Sequence, residues 1–140
     1  MRARLRADPV MTKKEAQLLS PLQLAYVGDS VHALLARTGL MEKNLPVRQM
    51  HAQANRAVSA VSQSRELSVL LPLLTQEEQD IVRRGRNAHP HHAAPKSASA
   101  GEYAGATGLE ALLGYLYLTG QEERLTQLAA YMQAEEEPYA

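Results

Sequence analysis

The chain contains no cysteine, no tryptophan and no phenylalanine. Without thiols it can form no disulfide framework, zinc–thiolate site, iron–sulfur cluster or cysteine nucleophile. Without Trp and Phe, the core must be aliphatic, built mainly from Leu, Ala and Val. Net charge is also absent, because 15 basic and 15 acidic side chains cancel, but their positions are uneven. Residues 1–100 carry +6 and residues 101–140 carry −6, so a basic face and an acidic tail are both open. No run of 15 residues is free of strongly polar or charged side chains, which excludes a transmembrane helix. The Arg-rich opening MRARLRADPV leads into no apolar segment of the kind that directs secretion. It reads as a mobile basic arm or an upstream extension, with Met11 as an alternative start.

What remains is one soluble domain of ordinary composition in 140 residues. We expect a flexible basic extension over 1–11, a folded domain over 12–134 and an acidic tail over 135–140. The punctuation is helical. Thr12 and Glu15 stand at capping-box spacing and open a short helix. Ser20 and Pro21 begin a second, in which Leu24, Val27, Val31, Leu34 and Leu35 recur at three- and four-residue steps until Gly39. Pro46 opens a third, with Val47, Met50, Ala54, Ala57, Val58 and Val61 on one face, predicted to run to Arg65 or beyond. Leu67 to Leu74 is too short to classify by period. Thr75 and Glu78 cap a helix through Arg84. Gly85 to Gly101, with Pro90, Pro95 and three histidines, reads as a long exposed loop of the kind that more often serves function than mere connection. Tyr103 to Leu118 and Gln121 to about Ala134 complete an all-α domain, since no segment alternates with period two.

Two acids stand out against this apolar patterning. Asp29 follows Gly28 within LAYVGDSVHALL, and both are poor helix formers in the strongest helix of the chain. Glu110 lies in ATGLEALLGYLYL, one acid among apolar residues, with Ala106, Thr107 and Gly108 one turn before it. Alone, Asp29 could simply face solvent between apolar ridges. Two isolated carboxylates on two apolar helices suggest a shared site suited to a hard divalent cation, because Mg²⁺ takes oxygen ligands and keeps several waters.

Three blocks, LAYVGDSV at 24–31, IVRRGRNA at 81–88 and ATGLEALLGYLYL at 106–118, resemble the Mini-ribonuclease III family. These proteins look like the ribonuclease III catalytic domain without its double-stranded-RNA-binding domain. The resemblance covers about Pro21 to Leu128. It implies an all-α, ribonuclease III-like endonuclease domain that forms a homodimer and cleaves double-stranded RNA with Mg²⁺, or Mn²⁺ in its place, leaving 5′-phosphate and 3′-hydroxyl ends. Asp29 matches the family's essential aspartate and Glu110 its metal-binding glutamate, which makes them the expected catalytic and metal-holding residues. Larger ribonuclease III enzymes carry further acids where this chain has Leu22, Ala25 and Thr107, a thinning that Mini-ribonuclease III proteins share. A Mg²⁺ ion between Asp29 and Glu110 would polarise the scissile phosphate and activate water for in-line attack. A two-fold dimer would present one site to each strand.

The resemblance also assigns Arg83, Arg84, Arg86, Asn87 and Lys96 to RNA binding. Guanidinium and amide groups suit phosphates and 2′-hydroxyls in an A-form minor groove; without the resemblance this charge run would read as a solvated face. Gly105 and His89 stand where the family commonly has arginine and lysine, which removes fixed charge from that face. His89, His91 and His92 read as plain surface, with partial replacement of that charge or soft-metal binding as the alternatives. Thr107 and His32 share the helical faces of Glu110 and Asp29 and are candidates for supporting roles, against packing alone. Tyr26, Tyr103, Tyr115 and Tyr117 fit core and dimer packing. The resemblance further implies a precursor of 23S ribosomal RNA as substrate, a ribosomal protein as a presenting partner, and a cytoplasmic setting away from membranes. Two alternatives stand beside the nuclease. One is a noncatalytic helical module that binds RNA or a protein, which would have little reason to keep both acids. The other is a small DNA-binding protein, for which a helix with clustered bases is lacking.

Overall fold

The computed structural model describes residues 9–88 and 98–136, with side chains described as far as Gln133. Among the described residues the secondary structure is entirely helical, as expected. Seven α-helices follow in order: α1 Lys13–Gln17, α2 Pro21–Gly39, α3 Val47–Ala57, α4 Ala60–Leu70, α5 Gln76–Arg86, α6 Ala100–Leu118 and α7 Glu122–Glu136. Single 3-10 turns span Met41–Lys43 and Leu71–Leu73.

Local chemistry sets most boundaries. Capping boxes open α1 (Thr12 with Glu15), α2 (Ser20 with Gln23), α5 (Thr75 with Glu78) and α6 (Ser99 with Glu102), each satisfying two backbone N–H groups that a helix start leaves unpaired. Gly120, in the left-handed region at φ 70°, closes α6, and the Gln121 N–H returns to the Leu116 carbonyl at 2.9 Å.

Three boundaries correct the sequence reading. The helix expected to run from Pro46 past Arg65 is two helices, because Ser59 interrupts it: its Oγ donates to the Arg56 carbonyl at 2.7 Å and accepts from the Ser62 N–H at 3.2 Å. A side chain that offers the backbone a local partner competes with helix continuation, and here it wins. At the long loop, α5 continues to Arg86 and α6 begins at Ala100, under the cap of Ser99.

The core is centred on α6. Leu109, Ala111, Leu112, Leu113, Tyr115 and Leu116 are fully enclosed, with α2, α4 and α5 packed around them and α1 and α7 at the margin. Each buried leucine contributes roughly 1.5–3 kcal/mol relative to an exposed one. Where α2 crosses α6, backbone meets backbone. A Cβ on Gly28 would lie 1.6 Å from the Glu110 carbonyl oxygen, and one on Gly114 would lie 2.0 Å from that of Leu24. The α5–α6 contact is close but looser, an added Cβ meeting its nearest atom at 2.8 Å on Gly85 and 3.0 Å on Gly108.

The acidic C-terminal region is tied to the body by Arg124, the one Lys or Arg beyond residue 100. Its guanidinium donates to both carboxylate oxygens of buried Glu78, at 2.8 Å each, and to the Leu73 carbonyl at 2.9 Å. Burial alone would raise the Glu78 pKa, but the Arg124 fork and the capping hydrogen bonds with Thr75 together outweigh it and hold the carboxyl below its usual value. At the other end, the N–H groups of Val10 and Met11 donate to the Leu118 carbonyl, and both side chains pack on the core.

Candidate active site

The glycine crossing determines what α2 and α6 can bring together. Gly28 touches the backbone of Glu110, and Asp29 is its neighbour, so the two acids on these apolar helices meet at the point of closest approach. The Asp29 carboxyl is near enough to act on that of Glu110, with Asp29 toward solvent and Glu110 half-buried. Burial first, and then the adjoining Asp29 carboxyl, push the Glu110 pKa up to about 8. Low polarity and a like charge both disfavour a second anion there. Gly28, costly to helix propensity, is what allows this approach.

Two polar residues of α4 complete the arrangement, and the sequence reading passed over both. Gln63 donates from Nε2 to Glu110 Oε2 at 3.3 Å and to the Val58 carbonyl at 3.0 Å. Glu66, one turn later, pairs with His32 Nε2 at 2.8 Å, and both side chains are buried. The available signal was periodicity: Gln63 and Glu66 occupy the same stripe as Leu67 and Leu70, where an amphipathic helix ordinarily places apolar residues. His32 is enclosed against Glu66 and presents no surface to a large substrate. The Thr107 hydroxyl donates to the Tyr103 carbonyl of its own helix at 2.9 Å.

The basic block is carried to the α5–α6 contact. Gly85 seats α5 against Thr107 and Gly108 of α6, and the Arg86 stem runs beside Gly108, two residues before Glu110. Arg86 and Asn87 are exposed at the end of α5. Arg83 is exposed and pairs with Asp80 at 2.8 Å. Arg84 is directed elsewhere, donating to the Leu19 carbonyl at 3.0 Å, where it joins α5 to the α1–α2 junction. Lys96, His89, His91 and His92 lie outside the described residues.

Among the described residues, no group of three or more His, Cys, Asp or Glu side chains is arranged to hold a metal ion. Asp29 and Glu110 nevertheless offer hard oxygen donors whose mutual repulsion a divalent cation would relieve. Such a pair suits Mg²⁺, which needs few protein ligands because it retains its own waters. The residues present therefore fit that ion.

The chain matches the ribonuclease III domain over residues 22–121. It is 51% identical over 111 residues to the Mini-ribonuclease 3 of Symbiobacterium thermophilum, covering 79% of this chain and 85% of that protein. To the Mini-ribonuclease 3 of a Thermoanaerobacter species it is 44% identical over 120 residues, covering 85% and 84%. Its fold is similar to the crystal structure of protein FN1578 from Fusobacterium nucleatum, with a TM-score of 0.78 and 26% identity over 87% of this chain and 98% of that one. By fold and by sequence match the domain is thus of ribonuclease III type. The chain belongs to the ribonuclease III family, in its Mini-ribonuclease 3 branch.

Proposed function

We propose that Asp29 and Glu110 form the hydrolytic centre of this protein, which as a member of the ribonuclease III family is a double-strand-specific endoribonuclease. The observation that carries the assignment is the α2–α6 crossing, where backbone contact at Gly28 brings Asp29 and Glu110 to neighbouring positions. Asp29 and Glu110 would hold Mg²⁺, which when bound would supply Lewis-acid polarisation of the phosphate and a more acidic water. Asp29, on the solvent side, is the acid that substrate reaches first. Glu110, deeper and held by Gln63, gives the pair a fixed inner wall. Arg83, Arg86, Asn87 and Lys96 hold the duplex through phosphate and 2′-hydroxyl contacts. Arg84 acts beneath this face by fixing α5. Hydrolysis leaves a 5′-phosphate and a 3′-hydroxyl.

In this reading the working unit is a homodimer, with one centre for each strand. Its support is apolar surface left exposed along α2, where Leu22 and Tyr26 line one groove and Leu34 another, with Leu18 exposed just after α1. The natural substrate is a 23S ribosomal RNA precursor, presented with a ribosomal protein in the cytoplasm. Among the described residues, no helix is long and apolar enough to cross a membrane.

The test is cleavage of an end-labelled perfect RNA duplex by the native protein and Asp29→Asn, in Mg²⁺ and in EDTA, with single-stranded RNA and duplex DNA as controls. Both strands of the RNA duplex should be cut, with loss of cutting in the variant and in chelator. Duplex binding without cutting by a folded dimer would replace the nuclease with a noncatalytic RNA-binding module.

A further inference from the structure

Gln63 is almost wholly buried, yet it carries an amide into an apolar interface. Its Nε2 faces two acceptors, the Val58 carbonyl and Glu110 Oε2. Reversing the amide would set Oε1 against both oxygens, so only one orientation works. The Val58 carbonyl is available because the helix breaks there. In a continuous helix it would accept from the Ser62 N–H, but that group is turned to Ser59 Oγ. The break between α3 and α4 thus creates an anchor for Gln63. One turn on, the buried Glu66–His32 bond ties α4 to α2, so α4 is bonded to both helices that carry the acids. Gln63 Oε1, also buried, has no partner among the described residues. An unpaired buried acceptor works against stability, so packing alone does not account for a glutamine at this position.

We propose that Gln63 is a positioning residue for the metal-holding pair, fixing Glu110 through Nε2 while braced on the Val58 carbonyl. This rests on the nuclease reading above. Glu110 would otherwise be free to rotate away from Asp29, and a site with only two protein carboxylates has little other means of keeping its donors aligned. Groups that orient a metal ligand typically change metal affinity by about 10–100-fold when removed.

The experiment measures Mn²⁺ binding to the RNA-free protein by the loss of the free-ion EPR signal, alongside duplex cleavage as a function of Mg²⁺ concentration. Gln63→Met keeps length and burial but donates nothing. It should weaken Mn²⁺ binding about 10-fold, raise the half-maximal Mg²⁺ concentration to match, and leave the KM for duplex unchanged, with excess Mg²⁺ restoring most of the rate. In a Glu110→Gln background the same change should add nothing further. Gln63→Asn, which keeps the amide but falls one methylene short of Glu110, should show the same loss and serves if the methionine variant does not fold. Native Mn²⁺ affinity in either folded variant, or equal losses in both backgrounds, would overturn the positioning role while leaving the nuclease intact. A native protein that cuts duplex but binds no Mn²⁺ would overturn the positioning role and the metal assignment together. No cutting and no binding by native protein would remove the nuclease reading itself.

Discussion

Helices α6 and α3 both touch α4 and use their residues in contrary ways. In α6 nearly every position beyond the second turn is buried, glycines replace side chains at the tightest crossing, and the single acid in that stretch, Glu110, stands at the site. In α3 only Ala54 is buried, and Arg48, His51 and Arg56 face outward. The inner helix admits almost no change of shape, whereas the outer one is held by few contacts. A site that must keep two like charges together needs the first kind of support. A basic surface that meets solvent or a polyanion does not.

The largest effect should come from breaking the inner contact. Gly114→Ala places a methyl group 2.0 Å from the Leu24 carbonyl oxygen, and should cost about 3 kcal/mol or more, or abolish folding. Gly101→Ala, in the same helix but with no atom nearer than 3.9 Å, should instead stabilise by about 0.5 kcal/mol. Urea denaturation of the two variants measures that contrast, and similar behaviour would mean that α2 and α6 are not in backbone contact.

Next comes the pair behind the site. Glu66→Ala leaves His32 enclosed without its partner, and should cost about 2–3 kcal/mol in the same measurement. Glu66→Gln, which can still accept a hydrogen bond, should cost less.

A pH-dependent effect follows from Glu110. Its carboxyl keeps a proton in the fold up to about pH 8, whereas the unfolded chain releases it near 4.5. Between those values the folded state binds more protons, so in EDTA this group makes stability fall as pH rises through the window and level off above it. Thermal midpoints across the range should show a steeper decline for the native protein than for Asp29→Asn, because the variant loses the like charge but keeps the burial. Parallel curves would separate the two carboxyl groups. The smallest change is expected on α3, where Arg48→Ala should alter unfolding free energy by no more than about 0.5 kcal/mol.

Much of the fold was legible in the sequence because its signals are local. Capping boxes at Thr12 and Thr75, the Ser20–Pro21 start and the stop at Gly120 each act within a few residues, and the helices begin and end close to where that chemistry places them. The break at Ser59 was harder to read, since a serine inside an apolar stripe is compatible with either continuation or capping. The facing acids could be singled out because Asp29 and Glu110 contradict the patterning around them. Gln63 and Glu66 contradict it as well, but their partners lie 47 and 34 residues away in the chain, and only the packed helices reveal them. Nor does spacing distinguish Arg84, turned inward to Leu19, from Arg83 and Arg86, which face out.

The crossing of α2 and α6 has one consequence for how such a chain can vary. Because no side chain separates the helices at Gly28 and Gly114, the gap between Asp29 and Glu110 is gauged by peptide groups, whose dimensions are the same in every protein. Leucines elsewhere in the core can be exchanged, and the domain can swell or tighten by fractions of an ångström, without resetting that gauge. The two glycines give up helix propensity, and in exchange the spacing of the acids is insulated from drift in the rest of the interior.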